Sequence, residues 1–143
     1  MTRFYSIDDA SAALPEVERI LLALRDQRTE LIRLRDRIAA ASTAGGGGTE
    51  GGGMVDSPAE VAEVGRIRLA MQGLVDQMQA GVSDLVRSDI TLRDIESGLI
   101  DFPALVAGRQ VWLCWRLGDG PAVEWWHGLT TGFSSRQRLA DLA

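Results

Sequence analysis

The 143-residue chain has no lysine: all fifteen basic residues are arginine, set against twenty acids for a net charge of −5. Chemistry that needs a lysine Schiff base or ammonium is thereby excluded. A single cysteine and a single histidine rule out an internal disulfide and a zinc-finger ligand set. The arginines are scattered among the acids, so no electropositive footprint marks a polyanion site and nucleic acid is not an expected partner. No apolar run is long enough to span a bilayer, and the opening MTRFYSIDDA lacks the charged start and apolar stretch of an export signal. The expected location is therefore cytoplasmic, with no membrane partner. With no second histidine, no glycine-framed nucleophile and no HExxH spacing, no motif singles out a catalytic group, and enzymatic activity stays open.

What is present is 45% hydrophobic residues, enough for one domain with its own core. Ser6 precedes Asp9 by three residues, the spacing of a helix cap with an acid in the first turn, which predicts a helical turn there. Leu14-Pro15 then reads as a fresh helix start, since proline at the first position loses no needed hydrogen bond. Ile20, Leu24, Leu31, Leu34 and Ile38 follow the alternating three- and four-residue steps of a coiled-coil seam, with Gln27 as the polar intruder. This predicts a first helix over 14–42. The run AGGGGTEGGGMV supplies no side chains to offset the entropy of ordering it, so 43–56 is expected to be a flexible tether. Ser57-Pro58-Ala59-Glu60 restarts a helix, and Val64, Ile67, Met71, Leu74, Met78 and Leu85 carry a second seam over 57–88, broken by Gly81.

Two helices of roughly 25 residues, each about 38 Å long, should pack as an antiparallel hairpin. That leaves flanking apolar residues such as Leu21, Val61, Val75 and Val82 to be covered. The rest of the chain can cover some of them. A second copy would cover others, so a homodimer is expected.

The tail, 89–143, changes character. ITL suggests a short strand and DIESG a helical turn closed by Gly98. DFPAL suggests a tight segment in which Asp101 caps a turn before Pro103. VWLCWRL and AVEWW read as two strands around GDGP, a strong hairpin signal. The expected fold is thus α+β, mainly α: a long two-helix hairpin with a small C-terminal antiparallel β-hairpin or sheet, in one domain.

Register decides what the hairpin brings together, because a one-residue slip exchanges its faces. A two- or four-residue loop sets Cys114 opposite Trp125 and Trp112 opposite His127. Cys114 and His127 then share a face with Arg116 and Val123, and Leu113, Trp115, Glu124 and Trp126 take the other. An odd loop would bring Glu124 to Cys114 instead and remove His127. On the even register, Cys114 and His127 with an oxygen from Asp101 or Glu124 form a mixed set acceptable to a divalent transition metal such as zinc. The bland alternative is a buried thiol and a half-buried ring. Arg109, Arg116 and Arg136 beside the tryptophans offer a pocket for a small anionic ligand, although aromatics on a hairpin also serve simply as core.

The segments RFYSIDDASAALPEV, GLIDFPALVAGRQVWLCWRLGDG and VEWWHGLTTGFSSRQRL together resemble a bacterial family, domain of unknown function 2203, across nearly the whole chain. The family's signature corresponds here to Asp101, Phe102, Pro103, Cys114, Trp115, Trp126, His127, Gly128, Gly132 and Arg136. The family also carries a glycine-rich interruption in its middle. The resemblance assigns no activity, but it implies a binding role for the polar members of the ending. The leading expectation is a self-associating interaction or ligand-binding module whose site draws on Asp101, Arg116, Trp126, His127 and Arg136. The alternative is a metal-dependent enzyme using Cys114, His127 and Asp101.

Overall fold

A computed structural model describes residues 3–45 and 57–142; the tether expected over 43–56 lies almost wholly outside these. Two helices, α1 (Ile7–Gly45) and α2 (Pro58–Arg87), precede five strands: β1 (Thr91–Asp94), β2 (Leu99–Val106), β3 (Arg109–Arg116), β4 (Trp125–His127) and β5 (Gln137–Arg138). The strands form one antiparallel sheet in sequence order. The α+β, mainly α class is as expected. Among the described residues no helix is long and apolar enough to cross a membrane.

The chain divides into two compact units, one of residues up to Arg25 with those from Ala80 onward, the other of Asp26–Gln79. Each helix contributes to both. In the second unit the helices run antiparallel, with Gln27 donating to Gln77 (3.4 Å) and Arg37 pairing with Glu63 (2.8 Å). The polar intruder of the first seam thus finds a polar partner in the second helix. Among the described residues of this unit only Leu34 and Ile67 are buried, and Leu31, Ile38, Met71 and Leu74 are half-buried. A two-helix layer has one inward stripe and no second layer to cover its flanks.

In the first unit the sheet supplies that layer. Ala10, Leu14, Val17 and Leu21 form one buried stripe of α1, and Ile20 and Leu24 an adjoining one. Leu21, expected on an exposed flank, is instead fully buried. Gly81, which interrupts the second seam, lies where a Cβ would sit 3.2 Å from Leu24 Cδ2. Its missing side chain is what lets the two helices approach. Ile100, Phe102, Ala104, Val111, Leu113, Trp115 and Trp126 fill the sheet's inner face, where Phe102 meets Tyr5 edge to face at 4.9 Å.

Three local expectations are corrected. Ser6 does cap a helix, its Oγ accepting from Asp9 N–H at 3.0 Å, but α1 runs unbroken from Ile7 and Pro15 lies inside it. The buried stripe Ala10–Leu14–Val17–Leu21 keeps helical spacing across the proline, so burial overrides the lost backbone bond. DFPAL is not a turn but the middle of β2. Pro103 pairs with Trp112 in β3, while its carbonyl accepts from Tyr5 N–H at 2.8 Å. In a strand the N and O of one residue point the same way, so its missing donor faces Tyr5 and costs the β2–β3 ladder nothing. AVE, finally, is not strand. The β3–β4 ladder ends at Cys114–Trp125, and the connection over 117–124 is longer than two or four residues. Pro121 cannot donate, and Val123 N–H is taken by Ser11 Oγ at 3.0 Å, so Val123 leaves the shared strand face.

Candidate metal centre

The register of β3 and β4 is the even one: Trp112 opposite His127, Leu113 opposite Trp126, Cys114 opposite Trp125. On the other side of β3, Cys114 faces Asp101 of β2. Opposed residues share a face, as do alternate residues along a strand. Asp101, Cys114 and His127 therefore emerge together on the outer face, opposite the Phe102–Leu113 core. One ligand atom from each lies within 4.8 Å of the other two. All three are buried, at 1, 0 and 3% exposure respectively.

The hydrogen bonding around them is incomplete in a specific way. His127 Nδ1 lies 2.9 Å from the Gly128 carbonyl, which only accepts, so this nitrogen carries a proton and donates. His127 Nε2 lies 2.9 Å from Asp101 Oδ2, also an acceptor when ionised. That oxygen receives Arg93 Nε as well, at 2.8 Å. Asp101 Oδ1, equally buried, has no partner. One proton between Nε2 and Oδ2 satisfies that contact, whereas Oδ1 is left needing a donor or a cation. A histidine whose other nitrogen is fixed on a backbone carbonyl is the usual state of a metal-bound imidazole.

Burial pushes the Cys114 thiol up to about 11, helped by the Asp101 charge and opposed by the Arg136 guanidinium within hydrogen-bonding reach. Without a cation the sulfur is a thiol at neutral pH. This argues against a cysteine nucleophile, which needs an accessible thiolate and a base on its sulfur. Here the imidazole is committed to Gly128 and Asp101.

Arginine and aromatic rings roof the cluster. Arg93 lies over Trp112 at 5.0 Å; Arg136 lies 4.3 Å from the rings of both Trp125 and Phe133 and donates to Asp119 at 2.7 Å. Arg116 stacks on Phe133 at 4.8 Å. Of the expected ligand-binding set, Asp101, His127, Arg116 and Arg136 thus share one face, with Cys114 among them. Trp126 does not: it opposes Leu113, on the inner face, and Arg109 lies over it at 5.6 Å. Glu124 is exposed outside the strand and offers the cluster no oxygen.

Two residues escaped the sequence reading. Arg93 reaches Asp101 because its strand neighbour Thr91 pairs with Asp101, a diagonal relation that only the β1–β2 register reveals. Asp119 looked like turn chemistry alone. It does accept from Arg116 N–H at 2.9 Å, but it also anchors Arg136.

No curated protein and no solved structure matches the chain. A family described as "Uncharacterized conserved protein (DUF2203)" matches residues 3–139, nearly its whole length. The residues that carried the resemblance, among them Asp101, Cys114, His127 and Arg136, all lie within that match, and the chain belongs to the DUF2203 family.

Proposed function

We propose that this protein is a ligand-binding module whose ligand is a divalent transition metal, zinc in the first instance, held by Asp101, Cys114 and His127. The observation that carries the reading is one orphaned acceptor among three candidate ligands. Asp101 Oδ1 is buried without a partner, and the His127 ring nitrogen and the Cys114 sulfur lie beside that carboxylate. A cation satisfies Oδ1 and draws the proton from the thiol. Bond lengths of 2.0–2.3 Å set tetrahedral ligands about 3.3–3.8 Å apart, so a cluster spanning up to 4.8 Å closes by at most about 1.5 Å on binding. Arg93 on Asp101 and Arg136 beside Cys114 offset the negative ligands.

Three protein ligands leave a tetrahedral position for water or a small ligand, the pattern of reactive zinc sites. The arginine–aromatic roof and the near-zero exposure of the ligands favour binding over turnover. The test is a cobalt titration of chelator-stripped protein. Visible bands of tetrahedral cobalt with a thiolate charge-transfer band are expected, the latter lost in Cys114→Ser. A spectrum that stays that of the aquated ion rejects the site.

Self-association, the other half of the module, is supported by the second unit alone. Leu31, Ile32, Met71 and Val75, with Arg35 and Arg68, line an open apolar groove of about 420 Å³, and Leu69 is 76% exposed. Light-scattering mass independent of concentration at the monomer value would refute a dimer along this face.

A further inference from the structure

Arginine on the outer sheet face is arranged unlike arginine on the helices. Along α1 and α2, Arg19, Arg33, Arg66 and Arg87 each pair with an acid three residues earlier. On the sheet, Arg116, Trp125 and Arg138 share one face through strand pairing, and the turn Phe133–Ser135 brings Phe133 and Arg136 to them. Guanidinium and ring then alternate. Phe133 meets Arg116 at 4.8 Å and Arg136 at 4.3 Å, and Trp125 meets Arg136 at 4.3 Å and Arg138 at 5.1 Å. Of these three cations only Arg136 has a carboxylate partner among the described residues, Asp119. Arg116 and Arg138 have none, although Glu124 and Asp141 are close in sequence. In a chain of net charge −5, this is a local row of positive charge with two cations unneutralised.

We propose that Arg116 and Arg138, propped on either side of the largely buried, Asp119-paired Arg136, form a docking surface for an acidic polypeptide segment in extended conformation. Arg116 and Arg138 stand at the two ends of a ring–Arg136–ring stack with contacts of 4.3–5.1 Å, which puts them at most about 18–19 Å apart. Carboxylates four residues apart on an extended chain lie ~14 Å apart, a span that flexible arginine side chains can meet. Guanidinium forks match carboxylates bidentately, and stacking on Phe133 and Trp125 holds them ready at reduced entropic cost. Nucleic acid is disfavoured on the same observations. Each ring already carries two guanidiniums, which compete with a base for stacking, and the overall charge repels a long polyanion.

The test is isothermal titration of the full-length protein at low ionic strength with a short poly-glutamate peptide, and in parallel with an oligothymidylate of equal charge. The peptide should bind with an affinity that falls with added salt. In Arg116→Gln/Arg138→Gln the affinity should drop at least about tenfold, because two charge-assisted contacts are lost. Arg138→Gln alone, at an exposed position where folding is not at stake, should weaken binding in the same direction. No peptide binding at low salt, or affinity unchanged in Arg138→Gln, overturns the proposal. Oligothymidylate binding as tight as the peptide overturns the assignment to an acidic polypeptide.

Discussion

Asp101→Ala tests the buried cluster in the metal-free protein. The carboxylate holds two cationic or donor groups of unequal worth. Arg93 keeps 41% of its side chain exposed and turns to water when its partner goes, so its share is at most about 1 kcal/mol. His127, at 3%, has no such escape. Removing one member of a buried pair costs roughly 3–5 kcal/mol, against a total of about 5–15 kcal/mol for a domain, so the variant should lose at least about a fifth of its stability. Urea unfolding with chelator present measures this directly. With zinc at a hundred times its dissociation constant, the wild type should gain about 2.7 kcal/mol and Asp101→Ala nothing. Asp101→Asn separates charge from shape, because its amide can donate to a neutral Nε2 and should cost less than alanine does. A loss below about 1 kcal/mol in Asp101→Ala, the level of an exposed pair, would refute the claim that this network is buried and coupled.

Further outcomes follow from single backbone and side-chain features. Pro15→Ala restores a donor inside α1 and should stabilise the protein by about 2–2.5 kcal/mol, the helix-interior cost of proline less its benefit in the unfolded chain; a loss on urea unfolding would contradict this. Gly98 has φ +68° and its Cβ would overlap Leu117, whereas Gly108 has φ +75° with open space around it. Gly98→Ala should therefore cost clearly more than the roughly 1 kcal/mol expected of Gly108→Ala; equal midpoints would refute the packing at Gly98. The Cys114 thiol rises from 9.0 to about 11 on folding, so the unfolded chain sheds this proton first. Its contribution is intact below pH 9 and is lost progressively from pH 9 to 11, by up to about 2–3 kcal/mol. Cys114→Ala should show a flatter stability profile over that window; parallel profiles would contradict it.

The sequence made the α-helical seams and the two Ser caps legible, because each rests on local periodicity; the β3–β4 register agrees with the even one expected although the connection over 117–124 is not the short turn it was read from. That register alone was enough to put Cys114 and His127 on one face. Asp101 was grouped with Cys114 and His127, which strand pairing does bring beside it, but it was expected in a turn and lies in β2. Pro103 looked like a turn signal, and only the pairing of its carbonyl with Tyr5 N–H explains how a proline sits in a central strand. Pro15 misled in the same sense, since a buried stripe across it outweighs its local preference. Arg93 and the row Arg116–Arg136–Arg138 were hidden because scattered positions in the chain become neighbours only through strand pairing and the turn at Phe133. Trp126 was assigned to the site although the favoured register already put it with Leu113 on the opposite face.

The most direct test of the metal centre is the elemental content of untagged protein, as purified and after zinc loading and gel filtration, compared with Cys114→Ser and His127→Ala. One transition-metal ion per wild-type chain, absent from both variants, is the predicted result. Wild-type protein that retains no more metal after loading than its chelator-treated control would contradict it and leave Asp101, Cys114 and His127 as a buried, metal-free hydrogen-bonded cluster.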